Sequence, residues 1–322
     1  METNKRICVI GGGQWGKNHI KTLYELGYLS AIVDTNLTRL NELLEIYHVN
    51  GYTSVDRALE DGFDGYTLAT PASLHFEIAK KILKTGKPVM VEKPMTLSSN
   101  SSLELVKMAK ANNTQLMVGH VLLFHPAVRK IKELIENGMI GELYYLYSTR
   151  LNFGTVRTEE NVFWSFAPHD ISVIDYLVGS LSIEIESKGA KYLQRNIYDY
   201  TMTQLTYPNN VNAHIFVSWL HPFKEQRLVV VGSKGMISFD DSSVEKEIKF
   251  YEKRITFENG FPEKVEKPTE IIPYEKKQPL TEELKYFVEN MDKKIEIADG
   301  KSGYEVIKVL EKSQELIDIS YK

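Results

Sequence analysis

Two successive domains are predicted, an α/β domain on a parallel sheet and then an α+β domain on a mainly antiparallel one, and three observations predict them. The 322 residues exceed the usual span of one compact domain. From residue 6 to about 121, short β-rich apolar runs alternate with helical stretches, as βα units do. After residue 122, strand candidates follow one another across turns of a few residues, too short for a parallel crossover. The domains are accordingly placed at 1–121 and 122–322.

In the first domain the strands are expected at Ile7–Ile10, Leu29–Val33, Gly51–Tyr52, Tyr66–Ala69, Pro88–Val91 and Leu116–Val118. Between them, Leu37, Leu40, Leu43, Leu44 and Tyr47 recur at helical spacing and form one apolar face. A helix over Leu74–Thr85 is expected to stop at Gly86, a natural left-handed cap, with Pro88 preventing continuation. In the second domain a helix over Pro126–Asn137 precedes strands at Leu143–Leu151, Ile183–Tyr192, Tyr200–Tyr207, Val211–Trp219, Arg227–Gly232 and Met236–Phe239. The charged, proline-containing stretch Lys253–Pro279 reads as an irregular excursion, and helices over Thr281–Met291 and Gly303–Ile319 close the chain.

Composition narrows the function classes. Lys and Arg number 39 against 43 Asp and Glu, a formal charge of −4, so no general basic field recruits nucleic acid or an anionic membrane. One cysteine, Cys8, sits in an apolar run and excludes a disulfide framework. The polar start Met1–Arg6 leads into an apolar run too short for a signal peptide or membrane span, so a cytoplasmic protein is expected. No Cys/His cluster, phosphate-loop motif or G-x-S-x-G elbow occurs, and His120 and His125 lack an acidic partner at ligand spacing, so no metal is assigned.

Gly11-Gly12-Gly13-Gln14-Trp15-Gly16 matches G-x-G-x-x-G directly after the first strand and opens a helical stretch with Ile20, Leu23 and Leu26 on one face. In that setting Gly11 permits a tight turn, Gly13 lets backbone approach a pyrophosphate and Gly16 lets helix pack on strand. The helix N-terminus offers amides and a positive dipole to the phosphates. The whole turn, Gln14 and Trp15 included, is therefore read as cofactor-binding in a Rossmann domain. Eighteen residues beyond Gly16, Asp34 ends the second strand, where a carboxylate accepts from ribose hydroxyls and repels a 2′-phosphate. Thr35 and Asn36 follow in place of the arginine expected for NADP, so NAD is the expected cofactor; Asp34 as a helix cap is compatible with this.

Two further groups fall at the carboxyl ends of strands, where open α/β sheets bind ligands. They are Thr70-Pro71 with His75 four residues on, and Glu92-Lys93-Pro94. A charged pair at the exit of a buried strand points to a role, with solvated strand-end charges as the alternative. In the second domain, Pro168 suits a helix first turn and would set His169 beside a helix N-terminus, where the dipole favours a neutral, proton-accepting imidazole. Its alternative is a helix-start histidine paired to Asp170.

In this order, the glycine turn, Thr70-Pro71, Glu92-Lys93-Pro94 and His169-Asp170 resemble the glucose-fructose oxidoreductase and inositol dehydrogenase (Gfo/Idh/MocA) family, over essentially the whole chain. The resemblance implies an N-terminal NAD domain and a C-terminal open-faced sheet that contacts substrate and builds dimers or tetramers. It also maps the family's catalytic lysine and histidine onto Lys93 and His169, either of which would be the base, and keeps Thr70, Pro71, His75, Glu92 and Lys93 in the cofactor set. Where many members carry an Asp four residues before that histidine, this chain has Ser165, so an Asp-His relay is not implied. The segments Gly119–Ala127, Arg157–Asn161 and Trp164–Asp170 are similar to those of UDP-N-acetylglucosaminuronate 3-dehydrogenases. Those enzymes make a 3-keto sugar that is aminated on the way to surface polysaccharides. The resemblance leaves open whether NADH departs or is reoxidised in place by a 2-oxo acid. Arg157 is the candidate for gripping the uronate, since a guanidinium holds a carboxylate in bidentate fashion. Other sugars, nucleotide sugars or inositols remain as alternative substrates. A dinucleotide sensor would use the fold without needing Lys93 or His169.

Overall fold

The structure, a computed structural model, describes residues 5–320; the first four residues of the polar Met1–Arg6 start lie outside the described residues. By packing, the chain forms two units, one of residues up to Phe124 with Lys277–Lys308, the other of His125–Lys276 with Val309 onward. A division at residue 121 does not anticipate that return. The apolar face of a late amphipathic helix carries no sign of which earlier sheet or helix it will meet.

The first unit runs β1 (Ile7–Ile10), α1 (Gln14–Glu25), β2 (Leu29–Val33), α2 (Leu37–Tyr47), β3 (Asn50–Tyr52), α3 (Val55–Asp61), β4 (Gly65–Leu68), α4 (His75–Lys84), β5 (Val89–Glu92), α5 (Ser99–Ala111) and β6 (Leu116–Gly119). All its strand pairs are parallel, in the order β3-β2-β1-β4-β5-β6. The chain order reverses between β1 and β4, so the carboxyl ends of these two strands open the crevice where such sheets bind ligands. Strands β1, β4, β5 and β6 are buried throughout, which explains their unbroken apolar runs. Helix α2 begins at Asn36, whose side chain accepts from the Arg39 amide at 3.0 Å. Gly86 has φ +74°, as its predicted role at the end of α4 requires.

The second unit holds α6 (Pro126–Glu136), β7 (Leu143–Phe153), α7 (Val162–Val178), β8 (Glu184–Ala190), β9 (Tyr200–Thr206), β10 (Asn212–Ser218), β11 (Leu220–Gly232), β12 (Met236–Asp240), β13 (Ile248–Tyr251), β14 (Lys253–Glu258), β15 (Phe261–Glu266) and β16 (Glu270–Ile272). Its main sheet has eight strands in the order β16-β13-β12-β11-β7-β10-β9-β8. All its pairs are antiparallel except β7 with β10. Helix α7 covers β7, β9 and β10. Ala213, Ile215 and Val217 are buried, while the intervening Asn212, His214 and Phe216 keep exposure, the alternation of a sheet covered on one face. On the less covered face His214 stacks on Tyr147, with ring centroids 5.3 Å apart.

Two expectations for this unit need correction. The stretch from Lys253 contains the hairpin β14–β15 and the edge strand β16 rather than an irregular excursion. Its turn, Asn259-Gly260, has φ of +51° and +83°, the conformation that favours Asn-Gly in tight hairpins. Pro262 is tolerated because a two-stranded ribbon has only edges. Helix α7, moreover, starts at Val162 and not at Pro168. Asn161 is its cap, accepting at Oδ1 from the amides of Phe163 (2.9 Å) and Trp164 (3.1 Å). Pro168 lies inside the helix and withholds the amide that would have bonded the Trp164 carbonyl.

Helices α8 (Pro279–Asn290) and α9 (Gly300–Ser320) follow. In the first unit α8 packs on α1 and on Val121–Phe124, burying Leu284, Phe287 and Val288 together with one charged residue, Glu283.

Candidate active site

The glycine turn follows from contacts that a side chain would break. A Cβ on Gly11, whose φ is +99°, would stand 2.7 Å from the Ala69 carbonyl oxygen across the β1–β4 crevice, and one on Gly16 would stand 1.8 Å from the Gly11 oxygen. Gly16 thus lets the helix return over its own turn, a closer approach than packing of helix on strand alone. At Gly13 a Cβ would meet nothing within 4 Å, so the turn leaves open space there. Gly13 caps α1 without a side-chain hydrogen bond, leaving the first-turn amides for a ligand. The Thr70 hydroxyl beside this crevice is buried without a hydrogen-bond partner. Open space, unused amides and an unsatisfied hydroxyl together fit a dinucleotide pyrophosphate.

Asp34 sits as predicted at the end of β2, and its carboxylate is already occupied. Oδ2 accepts from the Gly12 amide (2.8 Å) and Arg39 Nε (2.8 Å), and Oδ1 from the Asn36 amide (2.8 Å) and Arg39 Nη2 (2.9 Å). Burial works to raise the Asp34 carboxyl, but the Arg39 pair and the two amides outweigh it and hold it below the usual carboxylate range. Arg39 is an arginine beside Asp34 that the reading of Thr35 and Asn36 does not reach. It lies five residues on, in the first turn of α2, beyond the two residues that a contiguous motif inspects.

Lys93 follows β5, half-buried, and the Lys93–Pro94 peptide is cis. The preceding Glu92 is buried and braced by protein donors. Trp15 Nε1 and His19 Nε2 meet Oε1, the latter at 2.9 Å, and the Lys93 amide donates to Oε2 at 3.1 Å. Burial opposes ionisation, yet His19, Trp15 and the Lys93 charge prevail and keep Glu92 an anion. The Trp15 indole N–H is thereby committed to protein, while its ring stays 42% exposed. Both Glu92 oxygens are engaged by protein donors.

His75 is 1% exposed, with Nδ1 2.9 Å from the Pro94 carbonyl and Nε2 2.9 Å from the Thr70 carbonyl, and as a neutral ring it donates to one of the two. It clasps the two strand-end loops that carry Thr70 and Lys93, and burial depresses its pKa. Gly119 pairs with Glu92, so His120 and Lys93 leave neighbouring strands side by side. Both His120 nitrogens are buried without partners, and burial pushes its pKa down to about 4, leaving a neutral ring. Sequence reasoning set His120 aside as an unsuitable metal ligand; its place directly after a strand of the parallel sheet was the signal available. Among the described residues no group of three His, Cys, Asp or Glu side chains has metal-binding geometry.

In the second unit His169 lies in the second turn of α7, half-buried, so the helix-terminus argument for its neutrality lapses. Asp170 is held by β7, accepting from Ser148 Oγ (2.5 Å) and from Arg150 Nε (2.9 Å) and Nη2 (3.2 Å). That clasp fixes the rotation of α7 and hence the direction in which His169 leaves it. Arg157, on the loop before α7, is more than half exposed and pairs with Glu160 at 3.1 Å.

Residues 5–120 match the oxidoreductase family with an NAD-binding Rossmann fold, and residues 128–238 match the Gfo/Idh/MocA C-terminal domain. The chain belongs to the Gfo/Idh/MocA oxidoreductase family. Its first unit is an NAD-binding domain, and the protein is an oxidoreductase. The oxidoreductase YrbE of Bacillus subtilis is 27% identical over 249 residues, 73% of either chain. In fold the chain is similar to the UDP-N-acetylglucosamine 3-dehydrogenase of Acidithiobacillus ferrooxidans, with TM-score 0.86, 22% identity and 98% of both chains covered. It is also similar to the WlbA dehydrogenase of Bordetella pertussis in complex with NADH and UDP-GlcNAcA, with TM-score 0.80, 19% identity, and 99% of this chain and 98% of that one covered. No helix among the described residues is long and apolar enough to cross a membrane.

Proposed function

We propose that the protein oxidises the C3 hydroxyl of a UDP-linked N-acetylglucosaminuronic acid to the 3-keto sugar, using NAD. The observation that carries the reading is Lys93, delivered by the braced Glu92 to the carboxyl edge of the NAD-binding sheet. The choice of sugar is supported by the segments Gly119–Ala127, Arg157–Asn161 and Trp164–Asp170, and by the ligands and activities named for the two nucleotide-sugar enzymes of like fold.

The glycine turn, the Thr70-Pro71 loop and Asp34 would hold the dinucleotide, which when bound supplies the hydride acceptor. Oxidation moves a hydride from C3 and a proton from its hydroxyl. His169 takes that proton, and the Lys93 ammonium stabilises the oxygen as negative charge grows on it; the exchanged assignment has the same balance. Arg157 grips the sugar carboxylate, which displaces that of Glu160. The exposed face around Tyr147 and His214 supports assembly into a dimer or tetramer.

The test is incubation with UDP-N-acetylglucosaminuronate, UDP-N-acetylglucosamine or myo-inositol, each with NAD and with or without 2-oxoglutarate. The uronate is expected to yield a product lighter by two hydrogens. Accumulation of that product beyond the NAD supplied, only when 2-oxoglutarate is present, would show recycling in place. Turnover of inositol alone would reject the nucleotide-sugar reading. Arg157→Lys is expected to raise KM for the uronate about tenfold, the effect of about 1.4 kcal/mol of lost bidentate contact, and to leave KM for UDP-N-acetylglucosamine unchanged. Equal KM values for the uronate in both proteins would remove Arg157 from the site.

A further inference from the structure

Glu283 is the least expected buried residue of the first unit. It lies on the inward face of α8 among Leu284, Phe287 and Val288, it is 0% exposed, and neither carboxyl oxygen has a hydrogen-bond partner. Packing alone gives no reason for a carboxyl there, because an apolar side chain of similar size would avoid the desolvation. The nearest reason is Glu92. A carboxylate oxygen accepts about two hydrogen bonds. Oε1 of Glu92 has two donors, Trp15 and His19, whereas Oε2 has one, the Lys93 amide. Helix α8 packs on α1, the helix whose Trp15 and His19 hold Glu92, so an acceptor short of one donor and an acid without an acceptor share one packed neighbourhood. Two interacting buried carboxyls do not both ionise. The proton belongs on Glu283, since Glu92 has three donors and the Lys93 charge while Glu283 has none.

We propose that Glu283 is a positioning residue: as a neutral carboxylic acid it gives Glu92 its fourth hydrogen bond, directly or through one buried water, and so stiffens the turn that presents Lys93. Burial raises the Glu283 pKa well above the usual carboxylate range and the charge of Glu92 adds to that rise, in keeping with the neutral form. The inference rests on Lys93 acting at the reacting hydroxyl.

Two variants of the full chain test it. Glu283→Leu exchanges a buried acid and its bond to Glu92 for apolar packing and is expected to hold or raise Tm. It is also expected to lower kcat about tenfold while the NAD dissociation constant changes less than about twofold. Glu283→Gln retains an N–H for Glu92 and is expected to restore kcat to within about threefold of wild type. A wild-type minus Glu283→Gln infrared difference spectrum at neutral pH is expected to show a protonated-carboxyl C=O band. A carboxylate band in its place, or a Glu283→Leu protein turning over at the wild-type rate, would overturn the proposal. The infrared and Tm measurements need no substrate, so they still decide on Glu283 should the proposed sugar fail.

Discussion

Lys93→Ala and His169→Ala are each expected to lower kcat by about 10²- to 10⁴-fold, with NAD bound within a few-fold of the wild-type affinity. In the proposed site the dinucleotide is held by the glycine turn, Thr70-Pro71 and Asp34, and neither substitution changes these residues. Lys93 contributes its backbone amide to Glu92, and alanine keeps that amide, so the turn survives loss of the side chain. His169 leaves a helix clasped through Asp170 to Ser148 and Arg150, and that clasp also survives. The loss should therefore appear in kcat, as the loss of an interaction made in the transition state. The pH profile separates the two roles. Replacing the base removes the acidic limb of kcat/KM, whereas replacing the oxyanion stabiliser lowers the profile and keeps its shape. Near-wild-type rates in both variants would remove these residues from the chemistry. A Lys93→Ala protein that no longer binds NAD would instead make the lysine a cofactor residue.

The parts of this site legible in the sequence are those whose chemistry is contiguous. The glycine turn is a run of six residues whose backbone has one use, and Asp34 and Lys93 stand at the ends of strands that their apolar runs announce. Legibility fails where partners are brought together by tertiary packing. Arg39 reaches Asp34 because α2 turns back over β2. Trp15 and His19 reach Glu92 from 77 and 73 residues away in sequence. Glu283 reaches the same neighbourhood from a helix beyond the entire second sheet, where the sequence shows only one more charged residue on an amphipathic helix. Pro168 misled for a different reason. Proline at a helix start is a preference, and here the Asn161 cap seven residues upstream and the buried apolar face of α7 outweigh its cost inside the helix.

Asp34→Ala is expected to shift the ratio of kcat/KM for NAD over that for NADP by about 100-fold toward NADP. All four acceptor positions of Asp34 are filled, two by the backbone amides of Gly12 and Asn36 and two by the Arg39 guanidinium. The amides are fixed by the turn and the helix cap, but the Arg39 side chain is 39% exposed and able to move. In the proposed site the ribose hydroxyls take the two positions that Arg39 gives up. Removing the carboxylate forfeits both hydrogen bonds, each of about 1.5 kcal/mol when the acceptor is charged, and about 3 kcal/mol in total corresponds to 100-fold or slightly more. For NADP the same change removes an anion from the 2′-phosphate and leaves Arg39 as its uncompensated partner. The double variant Asp34→Ala/Arg39→Ala separates these effects. It should remain poor with NAD and lose the gain with NADP, whereas Arg39→Ala alone frees the carboxylate and should not weaken NAD. An unchanged cofactor ratio in Asp34→Ala would detach this residue from the ribose. A gain for NADP that persists in the double variant would show that repulsion by Asp34 was the whole effect and that Arg39 takes no part.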